Sequence, residues 1–144
     1  KTAYEIYQCD WSSDVCSSDL EVGHRFCAKP SDEAYGAVSV KVAYWATAEV
    51  VGSVPPTVFL PRPKVDSALV RIRRHATPPV SGVVPSQLFD LVRAGFAKRR
   101  KMLRSALAGT VTAEQFEAAH IDPTARAEQL SLDDWAHLCR AVHA

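Results

Sequence analysis

The sequence predicts an α/β fold in which an antiparallel strand pair and its helices precede a small all-α part. Residues 49–54 form a short β-branched run, and residues 65–73 alternate apolar with polar side chains, which is typical of two neighbouring strands. Prolines and a glycine within residues 76–85 indicate a linker. From residue 86 to the end of the chain, the apolar residues recur at helical spacing.

Residues 1–20 differ from the rest of the chain. Back-translated in one frame, residues 1–6 and 9–20 match an indexed primer of short-read sequencing libraries, and Tyr7 and Gln8 then correspond to the sample barcode. We therefore predict an adapter-derived, non-native leader and exclude it from the fold prediction. The alternative is a genuine N-terminal arm rich in Cys, Ser and Asp.

The charge of the chain depends on this leader. The 144 residues carry a formal net charge of +1. Leaving out the leader removes one basic and four acidic residues and gives +4; these are Lys1, Glu5, Asp10, Asp14 and Asp19. A modest positive excess is compatible with a nucleic-acid partner.

Cysteine spacing and hydropathy exclude several other classes. Outside the leader only Cys27 and Cys139 remain, and they form no short-spaced pair and belong to no Cys/His cluster at zinc spacing. We expect reduced thiols in a cytoplasmic protein and no metal site. No apolar run approaches the roughly 18 residues of a membrane span, so we expect no membrane partner.

The segment before the first strand contains two predicted helices. Residues 21–29 have the pattern of a helix end that stops at Pro30, and Ser31 or Asp32 offers an N-cap for a second helix. Apolar residues at helical spacing then predict one broad buried face, formed by Tyr35, Val38, Val42 and Trp45 with the addition of Val40 and Tyr44.

The part after the linker is predicted to contain several helices. Ser86 caps one long helix that continues to about Leu107. Thr112 begins a capping box for a helix through Ala119, Asp122 precedes a proline at a first helical position, and Ser131 begins the last helix.

The connection between the two strands contains an aromatic residue beside cations. Residues 55–66 include four prolines, which stiffen the backbone, and they carry Phe59, Arg62 and Lys64. An enzyme that modifies a base holds it against an aromatic or apolar surface. Such stacking is worth about 1 to 3 kcal/mol per base. Phe59 is our candidate for base stacking, and the alternative is that Phe59 fills the core beneath the loop.

A basic run is the second candidate site. Its members are Arg93, Lys98, Arg99, Arg100, Lys101 and Arg104. No acidic residue lies between Asp90 and Glu114 to neutralise them, and closely packed like charges repel. The run, which we place on the outer surface of the long helix, therefore predicts phosphate binding. The alternative is a solvated helix face.

These segments resemble the C-terminal part of the ribosomal RNA adenine dimethyltransferases. The similarity rests on residues 34–44, 59–67, 96–104 and 120–132, and it covers nearly all of residues 21–144. Residues 59–67 also resemble the macrolide-resistance rRNA methyltransferases, but the ending at 121–132 favours the branch that acts on the small subunit. His120 departs from the pattern, since a glycine is expected there.

The resemblance implies a truncated Rossmann-like methyltransferase. Residues 21–75 would be the end of the S-adenosylmethionine-dependent domain, 76–85 a linker and 86–144 a helical rRNA-binding domain. It further implies dimethylation of N6 of two adjacent adenines near the 3′ end of small-subunit rRNA during ribosome biogenesis. The partner would be this rRNA in the immature small subunit, and the protein would be a monomer.

The same resemblance implies that the catalytic apparatus is incomplete here. The sequence contains no Gly-rich turn after a strand and no Asn-Leu-Pro-Tyr-like segment for the adenine amine. Both, including the S-adenosylmethionine pocket, would precede Glu21, so we expect the fragment to be inactive alone. Phe59 is the position that matches target-base stacking. The alternatives are a stand-alone RNA-binding module and an assembly product whose basic run has no function.

Overall fold

The computed structural model describes residues 14–144, with side chains from Leu20 onward. In chain order the elements are β1 (Asp14–Asp19), α1 (Leu20–Cys27), α2 (Ala37–Trp45), β2 (Ala46–Val54), β3 (Ser67–Arg74), α3 (Pro85–Ala97), α4 (Leu103–Ala106), α5 (Ala113–Ala118) and α6 (Leu132–Val142). Two 3-10 turns lie at Pro56–Val58 and Ala127–Gln129. The α/β class predicted from the sequence is confirmed, and helices alone follow β3.

The strands form one antiparallel sheet in the order β1-β3-β2. The predicted pairing of β2 with β3 is confirmed, and it runs from Ala46 opposite Arg74 to Val54 opposite Ser67. The alternation in β3 buries Ala68, Val70 and Ile72 on one face of the sheet.

The other edge of β3 pairs with β1, which lies within the predicted leader. An antiparallel ladder is made by backbone groups that every sequence possesses, so this pairing does not test whether the leader is adapter-derived. That origin stays a prediction, and residues 1–13 lie outside the described part of the chain.

Helix α2 begins later than the sequence predicts. Its N-cap is Gly36, not Ser31 or Asp32. The Asp32 carboxylate instead accepts a hydrogen bond from the backbone N–H of Lys29 at 2.8 Å, and Ser31 adopts a left-handed φ of 72°. These local bonds close a turn after Pro30, and the helix starts only when the turn is complete.

The single long helix predicted for residues 86–107 is wrong. Helix α3 starts one residue earlier, with Val84 as N-cap, and stops at Ala97, and α4 begins only at Leu103. The backbone N–H groups of Leu103 and Arg104 donate to the carbonyls of Ala125 (2.8 Å) and Pro123 (3.0 Å). These tertiary bonds replace helical ones, so the basic run lies largely on a turn.

Three N-caps were predicted after residue 110, and two of them are confirmed. The hydroxyls of Thr112 and Ser131 each accept a hydrogen bond from the backbone N–H three residues later, both at 3.3 Å. The third prediction is wrong, because Asp122 begins no α-helix. Its carboxylate accepts hydrogen bonds from the hydroxyl and the backbone N–H of Thr124, which lower its pKa and close a local turn.

One hydrophobic core joins α2 to the helices after the linker. The fully buried side chains of Leu88, Leu103 and Trp135 share this core with Val40 of α2. The Tyr35 hydroxyl, just before α2, donates to the Leu130 carbonyl at 2.7 Å. Burial, and then the nearby charge of Asp134, raises the Tyr35 pKa. The helical part is thus packed against the segment that precedes β2, while the predicted domain boundaries stay predictions.

His120 ends α5 in a backbone conformation that favours glycine. Its φ is 56°, and its N–H donates to the Glu117 carbonyl while that of Ile121 donates to the Phe116 carbonyl, both at 3.0 Å. This pair of bonds is the Schellman motif, whose left-handed position glycine occupies without strain. The expectation of glycine at this position therefore has a conformational reason.

We expect His120→Gly to stabilise the protein by about 1 kcal/mol, since a side chain in the left-handed region costs roughly 1 to 2 kcal/mol. Urea unfolding would measure the change in the free energy of unfolding. The matched control is His137→Gly, which places glycine in the exposed interior of α6 and should destabilise by about 1 kcal/mol. A loss of stability in His120→Gly would contradict the assigned backbone strain.

Candidate nucleic-acid interface

The connection between β2 and β3, residues 55–66, is here called the proline-rich loop. A 3-10 turn forms its first part, with the N–H of Phe59 donating to the Pro56 carbonyl at 3.3 Å, and the Leu60–Pro61 peptide bond is cis. At the loop's end the N–H of Leu20 donates to the Asp66 carbonyl at 3.1 Å. Local turn bonds therefore shape the loop where it leaves the sheet, and a hydrogen bond from Leu20 anchors it where it returns.

Apolar side chains of this loop face water. Phe59 is 36% exposed, Val58 64% and Leu60 100%. None of the three belongs to either buried hydrophobic cluster. The structure thus gives no support to the alternative in which Phe59 fills the core, and it leaves the ring accessible to a partner.

Two cations accompany the exposed ring. Arg62 and Lys64 are both exposed and follow Phe59 within the same loop. Neither forms an ion pair with a carboxylate of residues 20–144. Cations beside an aromatic ring suit a ligand that combines phosphate with a flat base.

The second surface is the basic turn, residues 98–101, which joins α3 to α4. Lys98, Arg100 and Lys101 are exposed there, and Arg104 is exposed in the first turn of α4. Within residues 20–144 none of these four cations has a carboxylate partner. Four unneutralised cations close together in the chain create a positive potential that favours an external anion.

Arg93 and Arg99 differ from the other members of the basic run. Arg93 forms an exposed ion pair with Asp90. Arg99 donates to the Glu128 carboxylate at 3.2 Å and to the Glu33 carbonyl at 2.6 Å. Glu128 is remote in sequence, so the local absence of acidic residues did not reveal it. Arg99 thus ties the basic turn to two other segments, and RNA contact by either arginine stays a prediction.

The residues on both sides of the basic turn pack in the hydrophobic core. The ring of Phe96 lies 6.0 Å from that of Tyr35 and 5.9 Å from that of Trp135, and Leu103 is fully buried. Both flanks of the turn are therefore fixed before any ligand arrives. A preformed backbone lowers the entropic cost of binding.

The structure adds Arg126, which the sequence reasoning did not assign. Arg126 and Met102 form an isolated antiparallel bridge, which places the exposed Arg126 beside the end of the basic turn. Side chains of directly opposed residues in such a pair lie on the same face. Arg126 belongs to the 120–132 segment that carried the family resemblance, but its proximity to the turn is a tertiary fact.

The described residues do not fit S-adenosylmethionine. All strand pairings among residues 14–144 are antiparallel, and no glycine-rich turn there joins a strand to a helix.

Among the same residues no group of three or more His, Cys, Asp and Glu side chains could hold a metal ion. No helix in this part is long and apolar enough to cross a membrane.

Two solved structures share this fold. A dimethyladenosine transferase from Plasmodium falciparum superposes with a TM-score of 0.78 at 18% identity, covering 94% of this chain and 59% of that one. The 23S rRNA methyltransferase ErmE gives a TM-score of 0.65 at 19% identity, covering 92% and 55%. The described residues therefore share their fold with part of each of these two methyltransferases.

Sequence similarity defines the family more narrowly. The family model of ribosomal RNA adenine dimethylases matches residues 18–143. Ribosomal RNA small subunit methyltransferase A of Cutibacterium acnes is 49% identical over 141 residues, covering 92% of this chain and 47% of the relative. The protein of that name from Thermosynechococcus vestitus is 48% identical over 126 residues, covering 85% and 47%. The chain belongs to the ribosomal RNA adenine dimethylase family, and it spans about half the length of these relatives.

Proposed function

We propose that the protein dimethylates N6 of two adjacent adenines near the 3′ end of small-subunit rRNA, with S-adenosylmethionine as methyl donor. The observation that carries this proposal is the 49% identity to a relative named for the small ribosomal subunit. The immature small subunit is the proposed partner, and the protein is proposed to act as a cytoplasmic monomer during ribosome biogenesis.

The described residues are proposed to bind the rRNA. Lys98, Arg100, Lys101 and Arg104 contact phosphates, which positions the RNA without reading its sequence. The proline-rich loop contributes Arg62 and Lys64 to the same task. The exposure of these cations, and their lack of carboxylate partners in residues 20–144, support this role.

Phe59 is proposed to stack on the target adenine. Methyl transfer to a neutral amine depends mainly on proximity and orientation, so holding the base flat contributes directly to the rate. The anchored backbone of the loop keeps the ring in place at little entropic cost. The residues that bind the methyl donor are proposed to lie outside the described part, because the residues described here do not fit it.

Comparison of two RNA hairpins tests the proposed target. We expect the 144-residue chain to bind a small-subunit hairpin with two adjacent unpaired adenines more tightly than a large-subunit hairpin of equal length. Equal affinities would contradict a specific target and favour a stand-alone RNA-binding module. Tighter binding of the large-subunit hairpin would favour a macrolide-resistance type of target.

A second measurement concerns catalysis by this chain alone. We expect no transfer of labelled methyl groups from S-adenosylmethionine to the small-subunit hairpin, because the described residues do not fit the donor. Detection of N6-dimethyladenine in the RNA by mass spectrometry would contradict the proposal that the donor site lies elsewhere.

A further inference from the structure

Leu60 is fully exposed in the middle of the proline-rich loop. Its exposed fraction is 100%, and it adjoins Val58 at 64% and Phe59 at 36%. A single exposed leucine needs no explanation, but a contiguous apolar group on an anchored loop marks an interaction site. Leu60 itself has no role in the binding functions proposed above.

Leu60 directly follows the candidate stacking residue, Phe59. Phe59 has φ −104° and ψ 147°, so the 3-10 turn has ended and the chain does not coil back over the ring. The side chain of Leu60 is completely exposed beside the partly exposed ring of Phe59. A nucleobase stacked on Phe59 therefore has an apolar side chain next to it in the same loop.

The charges of the loop indicate what Leu60 contacts. Arg62 and Lys64 follow it at once and have no carboxylate partner in residues 20–144, so the loop favours a polyanion. Taking a base out of its stack removes the stacking partner of the neighbouring base. Apolar side chains fill such gaps between bases in other nucleic-acid complexes.

We propose that Leu60 inserts into the gap that opens in the RNA stack when the adjacent base moves onto Phe59. The ligand is thus an unpaired base together with its stacked neighbour, held by two adjacent residues of one loop. This inference rests on the proposed function, since it requires that the chain binds RNA.

Salt titration with a fluorescent RNA tests the inference. The probe is the small-subunit hairpin with 2-aminopurine next to the target adenine. We expect Leu60→Ser to weaken binding by about five- to tenfold at every salt concentration, because the lost contact is apolar. The slope of log affinity against log salt should not change, since no phosphate contact is removed. The wild type should raise 2-aminopurine fluorescence on binding, and Leu60→Ser should not.

Two further variants complete the design. Leu60→Met keeps an apolar side chain of similar size and should bind and raise the fluorescence like the wild type. Val84→Ser removes an exposed valine, 52% exposed, from the predicted linker and should change neither quantity. Leu60→Ser should unfold at the same urea concentration as the wild type, because the leucine makes no buried contact.

The outcomes separate the inference from the proposed function. If the wild type binds with a steep salt dependence and Leu60→Ser behaves identically in affinity and fluorescence, the inserted leucine is refuted and phosphate binding stands. If the wild type shows no salt-dependent binding, the proposed function fails as well. If Leu60→Met loses affinity as much as Leu60→Ser does, an apolar insertion is also refuted.

Discussion

Gly95→Ala is expected to destabilise the protein by about 3 kcal/mol, the upper part of the range for overpacked cores. A Cβ at position 95 would lie 2.5 Å from Cη2 of Trp135, whose side chain is fully buried. The indole also packs against Phe96, so it has little room to move. In a helix without this contact, alanine would instead stabilise by roughly 1 kcal/mol. Urea unfolding measures the net effect.

The matched control is Gly36→Ala. Position 36 has φ −156°, which any residue adopts, and a Cβ there would meet nothing within 4 Å. Gly36 is the N-cap of α2, and alanine is a poorer cap, so we expect this variant to be destabilised by no more than about 1 kcal/mol. A Gly95→Ala protein as stable as the Gly36→Ala protein would contradict the close packing of α3 on α6.

The double variant Arg100→Glu with Arg104→Glu is expected to weaken RNA binding on the order of a hundredfold at low salt, since two phosphate contacts become repulsive. Both side chains are exposed and make no ion pair within residues 20–144, so the fold should be unaffected. Fluorescence anisotropy with the small-subunit hairpin measures the affinity, and the urea midpoint verifies folding.

The control for this variant has the same change in net charge. Arg25→Glu with Arg71→Glu reverses two arginines that already pair with Glu21 and Glu49. Exposed pairs of this kind contribute about 0 to 1 kcal/mol, so the control should fold. If both double variants lose affinity equally, net charge rather than the basic turn governs binding.

Features decided by neighbouring residues were predictable from the sequence. Thr112 and Ser131 form caps with groups three residues away, and β3 alternates because of its own pleat. The class of fold and the pairing of β2 with β3 follow from such local patterns. The start of α2 differs from the prediction because Asp32 closes a local turn with Lys29, and because the N–H of Ser31 donates to the remote Glu128 carbonyl at 2.7 Å.

Features decided by contacts remote in sequence were not predictable. The helical spacing of residues 86–107 continues through the break at 98–102, and it is the carbonyls of Pro123 and Ala125 that bind the backbone there. Glu128 likewise reaches Arg99 from another segment. These partners follow only from the packing of α3 against the 3-10 turn and α6.

The sequence identified the residue types of the candidate site but not their arrangement in space. Phe59 and the cations were identified by residue type, yet their exposure and the freedom of Arg100 from ion pairs with residues 20–144 required the structure. The same structure shows Arg99 bonded to the Glu33 carbonyl and adds Arg126 beside Met102.

The most direct test of the central claim is the salt dependence of wild-type affinity for the small-subunit hairpin. We expect four to six phosphate contacts, provided by Lys98, Arg100, Lys101 and Arg104 together with Arg62 and Lys64. At about 0.7 per phosphate of a single strand, the slope of log affinity against log salt should be roughly −3 to −4. A slope near zero would show that these cations do not bind phosphate, and the account of this chain as an rRNA-binding part would be contradicted.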